Sequence, residues 1–351
     1  MEHSAQTDRV LIVVPTLNEV DWIETVMDTL LEDAPRDTRL VVADGGSTDG
    51  TREVVRRYAA RNETVTLMHN DARIQSAGIN RAVQTEARDA DFLLRADAHA
   101  AYPPGYCRVL LDEIRATDSA SVTVAMRTVP KGGFSTGVAA AQNSFLGTGG
   151  SAHRTGAGVN RFVEHGHHAI MRVDAFSDVG GYDAGQSHNE DAELDHRLRK
   201  AGHRIWLTGR TDLEYVPRRT PEALFRQYFA YGRGRAMTVE KHRVRLRLRQ
   251  MAPLAVAPAV FQALIGLILA PLAVEWLLLG LPALLWATIC LVYGAIAALR
   301  AGDPAVALAG PAAMVMHFAW STGFLTHRVR SALASGSARA RLGGKAARRP
   351  E

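Results

Sequence analysis

Between Ala252 and Leu325 the sequence is almost continuously apolar, interrupted chiefly by Glu275 and by Arg300 to Asp303. That run is far too long for the core helix of a globular domain, so this part of the chain belongs in a membrane. Ala252–Val274, Trp276–Ala298 and Pro304–Leu325 are each long enough to span. The flanking charges bear on their direction. Lys241–Arg249 carries five Lys or Arg and no acid, and beyond Thr326 seven more face only Glu351. Basic flanks place both ends in the cytoplasm, whereas three spans would separate them. Pro253, Pro258 and Pro271 make the first segment the candidate for a tilted or re-entrant hairpin.

The formal net charge of +5 rests on those flanks. Without their twelve bases and one acid, 29 bases remain against 35 acids. An acidic remainder argues against nucleic acid as a partner, while the flanks suit anionic membrane lipids. Cys107 and Cys290 are the only cysteines, the second inside the apolar block, so no disulfide is expected and a reducing compartment fits. Met1–Arg9 is polar and lacks the apolar region of a cleavable signal, so the first domain is expected to stay in the cytoplasm.

Ahead of the membrane block the pattern changes. Val10–Val14 is an unbroken apolar run before Pro15, the mark of a strand buried on both faces of a parallel sheet. Val20, Ile23, Met27, Leu30 and Leu31 recur at helical spacing, and Leu40–Ala43 is a second strand, which makes a right-handed βαβ unit. The loop Asp44–Thr51 is glycine-rich and leads into a helix bearing Val54, Val55 and Tyr58 on one face. Thr64–Met68, Ala77–Ala87 and Asp91–Leu94 continue as strand, helix and strand. The expected class is therefore α/β with a mostly parallel sheet and ligand sites at the carboxyl ends of its strands.

The chemistry concentrates in a few stretches. Phe92–Ala100 ends in Asp97-Ala98-His99, a strand tip offering a carboxylate and an imidazole to a divalent cation that bridges two phosphates. The same residues also read as a turn-capping Asp beside a surface His. Asp44 could accept from a base N–H, or close an Asx-turn at the helix entry. No G-x-G-x-x-G and no P-loop is present. Lys131–Gly158, rich in Gly, Ser, Thr and Ala, predicts a mobile loop. His165, His167 and His168 lack the Cys or H-E-x-x-H partners of a zinc site and point instead to acceptor or phosphate contacts. Asn189-Glu190-Asp191 opens a helix whose first turn favours negative charge, which suits a general base and equally suits plain capping. Gln227, Tyr231 and Arg235 share a helix face, with Arg233 nearby, fit for a phosphate or sugar or for lipid head groups.

Seven stretches carry a resemblance in their order along the chain. They are Val-Val-Pro-Thr-Leu-Asn-Glu at 13–19, Ala-Asp-Gly-Gly-Ser-Thr-Asp-Gly-Thr at 43–51, Ala-Gly-Ile-Asn-Arg-Ala at 77–82 and Arg-Ala-Asp-Ala-His at 95–99. Val-Gly-Gly-Tyr-Asp at 179–183, Asn-Glu-Asp-Ala-Glu-Leu at 189–194 and Gln-Tyr-Phe-Ala-Tyr-Gly-Arg-Gly-Arg at 227–235 complete the set. Together they resemble the family 2 glycosyltransferases of GT-A fold, and within them the bacterial exopolysaccharide enzymes of the succinoglycan-type glucosyltransferase group.

The resemblance implies a cytoplasmic GT-A domain over 1–240, a basic juxtamembrane segment over 241–251, a transmembrane region of two to three spans over 252–325, and a basic, disordered tail over 326–351. It implies a multi-pass protein of the inner (plasma) membrane. The implied reaction is inverting, metal-dependent transfer from a nucleotide diphospho-sugar, a UDP-sugar such as UDP-glucose, to a hydroxyl of a polyprenyl-diphosphate-linked saccharide in exopolysaccharide biosynthesis, alongside other polysaccharide-assembly proteins. Carried over by position, Pro15, Thr16, Asn18, Glu19 and Asp44 hold the base, with Arg73 near it. Asp97, with His99, binds Mg2+ or Mn2+. Asp191, beside Glu190, deprotonates the acceptor. His167, His168, Gln227, Arg233 and Arg235 meet the acceptor or the diphosphate. One departure stands out: Arg95 occupies the place where the family often has the first acid of Asp-x-Asp. Two rival readings remain. One is a polyprenyl-phosphate sugar synthase; the other is a membrane transporter or scaffold with a regulatory nucleotide domain, which needs ionisable residues inside the spans, where Glu275 stands nearly alone.

Overall fold

The computed structural model describes residues 8–346, apart from 88, 152–153, 155–157 and 247. The chain forms two compact units, one made of 1–131 with 142–217 and the other of 132–141 with 218–351.

The first unit is built on one mixed sheet. Its strands are β1 (Val10–Thr16), β2 (Arg39–Asp44), β3 (Val65–His69), β4 (Phe92–Arg95), β5 (Ala100–Ala101), β6 (Ser121–Thr128), β7 (Arg161–Val163), β8 (His167–Arg172) and β9 (Ile205–Tyr215). The order is β3-β2-β1-β4-β8-β6-β9-β5, with β7 on β9. β1 pairs in parallel with both β2 and β4, and β2 with β3, as the unbroken apolar runs require. Alternation along β1 then feeds two cores. Val10, Ile12 and Val14 pack with Ile23 and Met27 of helix α1 (Ile23–Glu32) and Tyr58 of α2 (Thr51–Ala59). Leu11 and Val13 pack on the opposite face with Ile79 of α3 (Gln75–Glu86) and with Phe176 and Leu194. Each fully buried aliphatic side chain contributes about 1.5–3 kcal/mol, so a polar residue in β1 would be strongly destabilising. Helix α4 (Tyr106–Thr117) adds Tyr106 and Leu110 to the first core, where Tyr215 is also buried.

Strand direction fixes where side chains emerge. Thr16 lies opposite Asp44 and Val13 opposite Arg95, so the segments after β1, β2 and β4 leave the sheet along one edge. β8 runs antiparallel to β4, which brings His167 at its start back to that same edge.

The 131–158 stretch departs from the expected mobile loop, for it contains α5 (Phe134–Gln142) and α6 (Phe145–Thr148). Val138, Ala139 and Ala141 are buried, and tertiary packing outweighs a weak local propensity there. After α6 come α7 (Val173–Asp178) and α8 (Glu190–Lys200).

The second unit is helical. α9 (Pro221–His242) starts on Thr220, whose hydroxyl accepts from Ala223 N at 3.2 Å, with Pro221 at the first helical position. Then follow α10 (Leu248–Leu254), α11 (Val256–Leu269), a 3-10 helix (Val274–Gly280), α12 (Leu281–Ala301), a second 3-10 helix (Pro304–Leu308) and α13 (Ala309–Ala346). Gln250–Leu269, Val274–Ala301 and Pro304–Ala334 are long and apolar enough to cross a membrane.

Two sequence expectations are corrected here. The first domain does not extend to 240, because α9 packs with the apolar helices. A Cβ on Gly232 would collide with the Trp320 carbonyl, one on Gly323 with that of Phe229, and the Phe225 and Phe318 rings lie 6.2 Å apart. Small residues let two helix backbones meet in this way. Nor is 326–346 irregular, since α13 runs on to Ala346 through a stretch rich in the good helix formers Ala and Arg.

Candidate active site

Arg95, the last residue of β4, is the hub of the strand-end site, and its side chain is only 4% exposed. Its guanidinium meets Asp191 directly, Asp97 at 3.6 Å and Glu190 at 3.7 Å, and its Nη1 donates to the Tyr182 hydroxyl at 3.2 Å. Burial opposes the charge on Arg95, yet the carboxylates around it raise its pKa. A lone arginine at the end of Phe-Leu-Leu is a legible signal, because charges are almost never buried unpaired.

Two acids arrive on the first turn of α8. Asn189 enters that helix at φ 61°, a left-handed conformation that asparagine tolerates. Asp191 Oδ1 receives the Tyr182 hydroxyl at 3.0 Å as well as Arg95. Tyr182 is held in turn by α3, with Asn80 bonding its N–H at 2.9 Å and its carbonyl at 2.7 Å. Neither Tyr182 nor Asn80 was singled out from the sequence, though both lie inside the quoted motifs. Burial, helped by the charge of Asp191, pushes Glu190 up to about 7, so one guanidinium does not keep every acid of the cluster ionised at neutral pH.

Asp97 is fixed through its main chain. Its N–H donates to the Tyr102 hydroxyl at 2.6 Å, and that hydroxyl donates back to the Asp97 carbonyl at 3.1 Å. Burial works to raise its pKa, but the Arg95 guanidinium holds the carboxyl below its ordinary range, and Gln75 Nε2 donates to Oδ1 at 3.3 Å. His167 stands between the two acids, its Nε2 3.5 Å from Asp97 Oδ2 and its Nδ1 3.8 Å from Asp191 Oδ2. Burial drives His167 down to about 4, so it is neutral at physiological pH.

The glycine-rich loop is closed on itself. Asp44, 1% exposed, accepts from Gly46 N at 2.9 Å and Ser47 N at 3.1 Å, and Arg52 lies 3.6 Å away. Asp44 thus makes the Asx-turn, and its carboxylate shapes the loop at the end of β2. Asn18 joins the loops: its N–H donates to Ser47 Oγ at 2.8 Å, and its side-chain oxygen accepts from Thr48 N at 2.9 Å. Thr16 is buried and donates to Val14 O at 3.0 Å, and Pro15 is half-buried beside it. Arg73 is exposed, in a left-handed conformation, and its guanidinium lies against Gly46, where a Cβ would reach Nη2 at 3.7 Å.

Gln227, Arg233 and Arg235 belong to α9 in the second unit; Gln227 donates to the Tyr231 hydroxyl at 3.0 Å and Arg235 to Gln250 at 3.3 Å. The His168 side chain lies outside the described residues. His99 is turned to Glu19, 3.1 Å from its Nδ1, and is 45% exposed. Arg154 was not anticipated: it donates to Thr128 Oγ1 at 2.9 Å, covers the Tyr215 ring at 5.2 Å, and its charge helps to keep His167 neutral.

The donor set bears on a divalent cation. Among the described residues no group of three His, Cys, Asp or Glu could hold one alone. Mg2+ and Mn2+ are commonly bound by one or two carboxylates plus substrate phosphates, and Asp97 is such a hard oxygen donor. The residues present fit a cation shared with a bound diphosphate through Asp97.

A family model described as Glycosyl transferase family 2 matches residues 11–180. Over 315 residues the chain is 52% identical to the succinoglycan biosynthesis protein ExoA of Rhizobium meliloti (strain 1021), covering 90% of this chain and 93% of that protein. It is 29% identical over 129 residues to the undecaprenyl-phosphate mannosyltransferase of Micrococcus luteus, covering 35% of this chain and 50% of that one. Among solved structures, the mannosyltransferase PcManGT from Pyrobaculum calidifontis, in complex with GDP-Man and Mn2+, aligns with a TM-score of 0.55 at 21% identity, over 92% of this chain and 88% of that chain. This last likeness is one of fold.

Proposed function

Because the chain belongs to the family 2 glycosyltransferases, we propose that it moves a sugar, with inversion, from a nucleotide diphospho-sugar to a hydroxyl of a lipid-linked saccharide in exopolysaccharide assembly. The observation that carries this reading is the joining of Asp97 and Asp191 on one buried Arg95, at the carboxyl ends of the parallel strands. The donor is a UDP-sugar such as UDP-glucose, with its base between the Pro15–Glu19 loop and Arg73. When bound by Asp97 and the donor phosphates, Mg2+ or Mn2+ supplies a Lewis acid that offsets charge on the departing diphosphate.

The protein's own residues do the rest. Asp191 takes the proton of the acceptor hydroxyl as its oxygen bonds the anomeric carbon and the bond to the diphosphate breaks. No enzyme nucleophile intervenes, so an α-linked donor gives a β-linkage. His167, neutral, fills the gap between the acids without adding charge. A phosphate acceptor needs no base, so the anchoring of Asp191 favours a hydroxyl acceptor over a polyprenyl phosphate.

The helical unit supports a membrane location with both basic flanks on one side. Ser321 Oγ donates to Leu254 O at 3.0 Å and accepts from Ala257 N at 3.2 Å, so the start of the first apolar segment lies level with the end of the third. Trp286, near the start of α12, reaches His317 at 3.3 Å, close to that same level. α11 and Val274–Gly280, whose backbones meet at Gly266 and Trp276, therefore form a re-entrant hairpin, and only α12 and α13 cross. Single cysteines in a Cys-free background test this with a membrane-impermeant maleimide on cells. Labelling is expected at Asp303→Cys and not at Leu272→Cys; external labelling of Leu272→Cys overturns the hairpin.

The donor is tested by thermal melting of the detergent-solubilised protein with UDP-, GDP- and dTDP-glucose, with and without Mn2+. UDP-glucose with Mn2+ at 100 times its Kd should stabilise the fold by about 2.7 kcal/mol. A shift with GDP- or dTDP-glucose alone would reject a UDP-sugar donor.

A further inference from the structure

Arg95 is too deeply buried to be a solvated contact for substrate, and a lone guanidinium in that position is strongly unfavourable unless paired. Its two terminal nitrogens face different acids. Nη1 meets Asp191 Oδ1, while Nη2 lies 3.6 Å from Asp97 and 3.7 Å from Glu190. Tyr182 completes the arrangement, for its hydroxyl receives Arg95 Nη1 at 3.2 Å and donates to the same Asp191 Oδ1 at 3.0 Å. The two oxygens of Asp191 thus differ. Oδ1 takes two donors; Oδ2 has His167 Nδ1 at 3.8 Å, beyond hydrogen-bond range.

We propose that Arg95 is a positioning residue which, with Tyr182, anchors Asp191 through Oδ1 and turns Oδ2 to the acceptor hydroxyl; this rests on the reading of Asp191 as the base. The proton from the acceptor arrives on Oδ2. The acceptor oxygen's electron pair becomes the glycosidic bond, and the diphosphate leaves with the electrons of the bond it loses. Nη2 faces Asp97 and Glu190 at 3.6 and 3.7 Å, which compensates the rest of the guanidinium charge while Nη1 orients Asp191. A planar, forked cation is needed for this, and a lysine ammonium, a point charge with no fixed fork, cannot reproduce it.

The test uses Arg95→Lys and Tyr182→Phe, each alone and combined with Asp191→Asn. Transfer is assayed from UDP-glucose to lipid-linked saccharide extracted from membranes, and UDP binding with Mn2+ is measured by calorimetry. Arg95→Lys is expected to lower kcat by roughly 10- to 100-fold, the cost of misplacing a catalytic group by about 1 Å, with the KM for UDP-glucose and the affinity for UDP little changed. Tyr182→Phe should lose less, in the same direction. In the Asp191→Asn background neither should cost anything further, because residues acting through one group are non-additive. Losses that multiply in that background overturn the proposal, as does an Arg95→Lys enzyme whose KM rises while kcat holds. Should Arg95→Lys melt too low to assay, Tyr182→Phe alone decides by the same criteria. Full activity of the single Asp191→Asn variant would instead remove the base, a separate failure.

Discussion

Asp191→Asn is expected to bind UDP with unchanged affinity and to lose roughly 10²- to 10⁴-fold in kcat, the usual contribution of a positioned base. The substitution is nearly isosteric. The new amide can still accept from Tyr182 through its carbonyl, so the loop held by Asn80 and the first turn of α8 should keep their places. The sugar hydroxyl, however, then has no carboxylate to take its proton. Glu190 is not placed to take over, since its carboxylate lies 3.7 Å from Arg95 Nη2, the arm turned to Asp97 and not the one that meets Asp191. With the Asp191 charge gone, one of the causes raising Glu190 disappears, so Glu190 should ionise at lower pH in this variant. Two measurements settle the matter: calorimetric titration with UDP and Mn2+, and transfer from UDP-glucose across pH. A variant that binds UDP normally and transfers at the full rate takes Asp191 out of the chemistry.

The parts of this arrangement that could be read from the sequence are those written in consecutive residues. Val10–Val14 and Leu40–Ala43 announce buried strands, and the edge they end on follows from parallel pairing, which is how Asp97 could be named; Asp191 could be named only through the resemblance carried by Asn-Glu-Asp-Ala-Glu-Leu at 189–194. What joins them could not. Arg95 and Asp191 are 96 positions apart, and no local pattern states that a strand end and a helix start will share one guanidinium. Asp44 shows a local pattern that can be read: its carboxylate accepts from the Gly46 and Ser47 N–H groups, as an Asp beside a tight turn does. The allegiance of α9 was hidden for a similar reason. Its charged residues read as part of a soluble domain, yet the decisive contacts are made by glycines, which carry no hydrophobic signal and act only by letting the Trp320 and Phe229 carbonyls come close.

Asp97→Asn is expected to abolish the gain in UDP affinity that Mn2+ confers, a loss of at least about 100-fold, since even residues that merely orient a metal ligand commonly account for 10- to 100-fold. The structural cost should be small by comparison. The main chain at 97 is held by Tyr102 through backbone atoms that the substitution leaves alone, and Gln75 can still donate to the carbonyl oxygen of the new side-chain amide. Arg95 loses one acid at 3.6 Å but keeps Asp191 and Glu190, so its charge stays compensated. Removing the cation from the wild-type enzyme with EDTA should reproduce the variant, and adding Mn2+ should restore the wild type alone. The two substitutions then separate the two halves of the reaction. Asp191→Asn keeps metal-dependent UDP binding and loses transfer, whereas Asp97→Asn loses both. Were Mn2+ to strengthen UDP binding equally in Asp97→Asn and wild type, the cation would have to be held by groups other than Asp97, and Asp97 would lose its role.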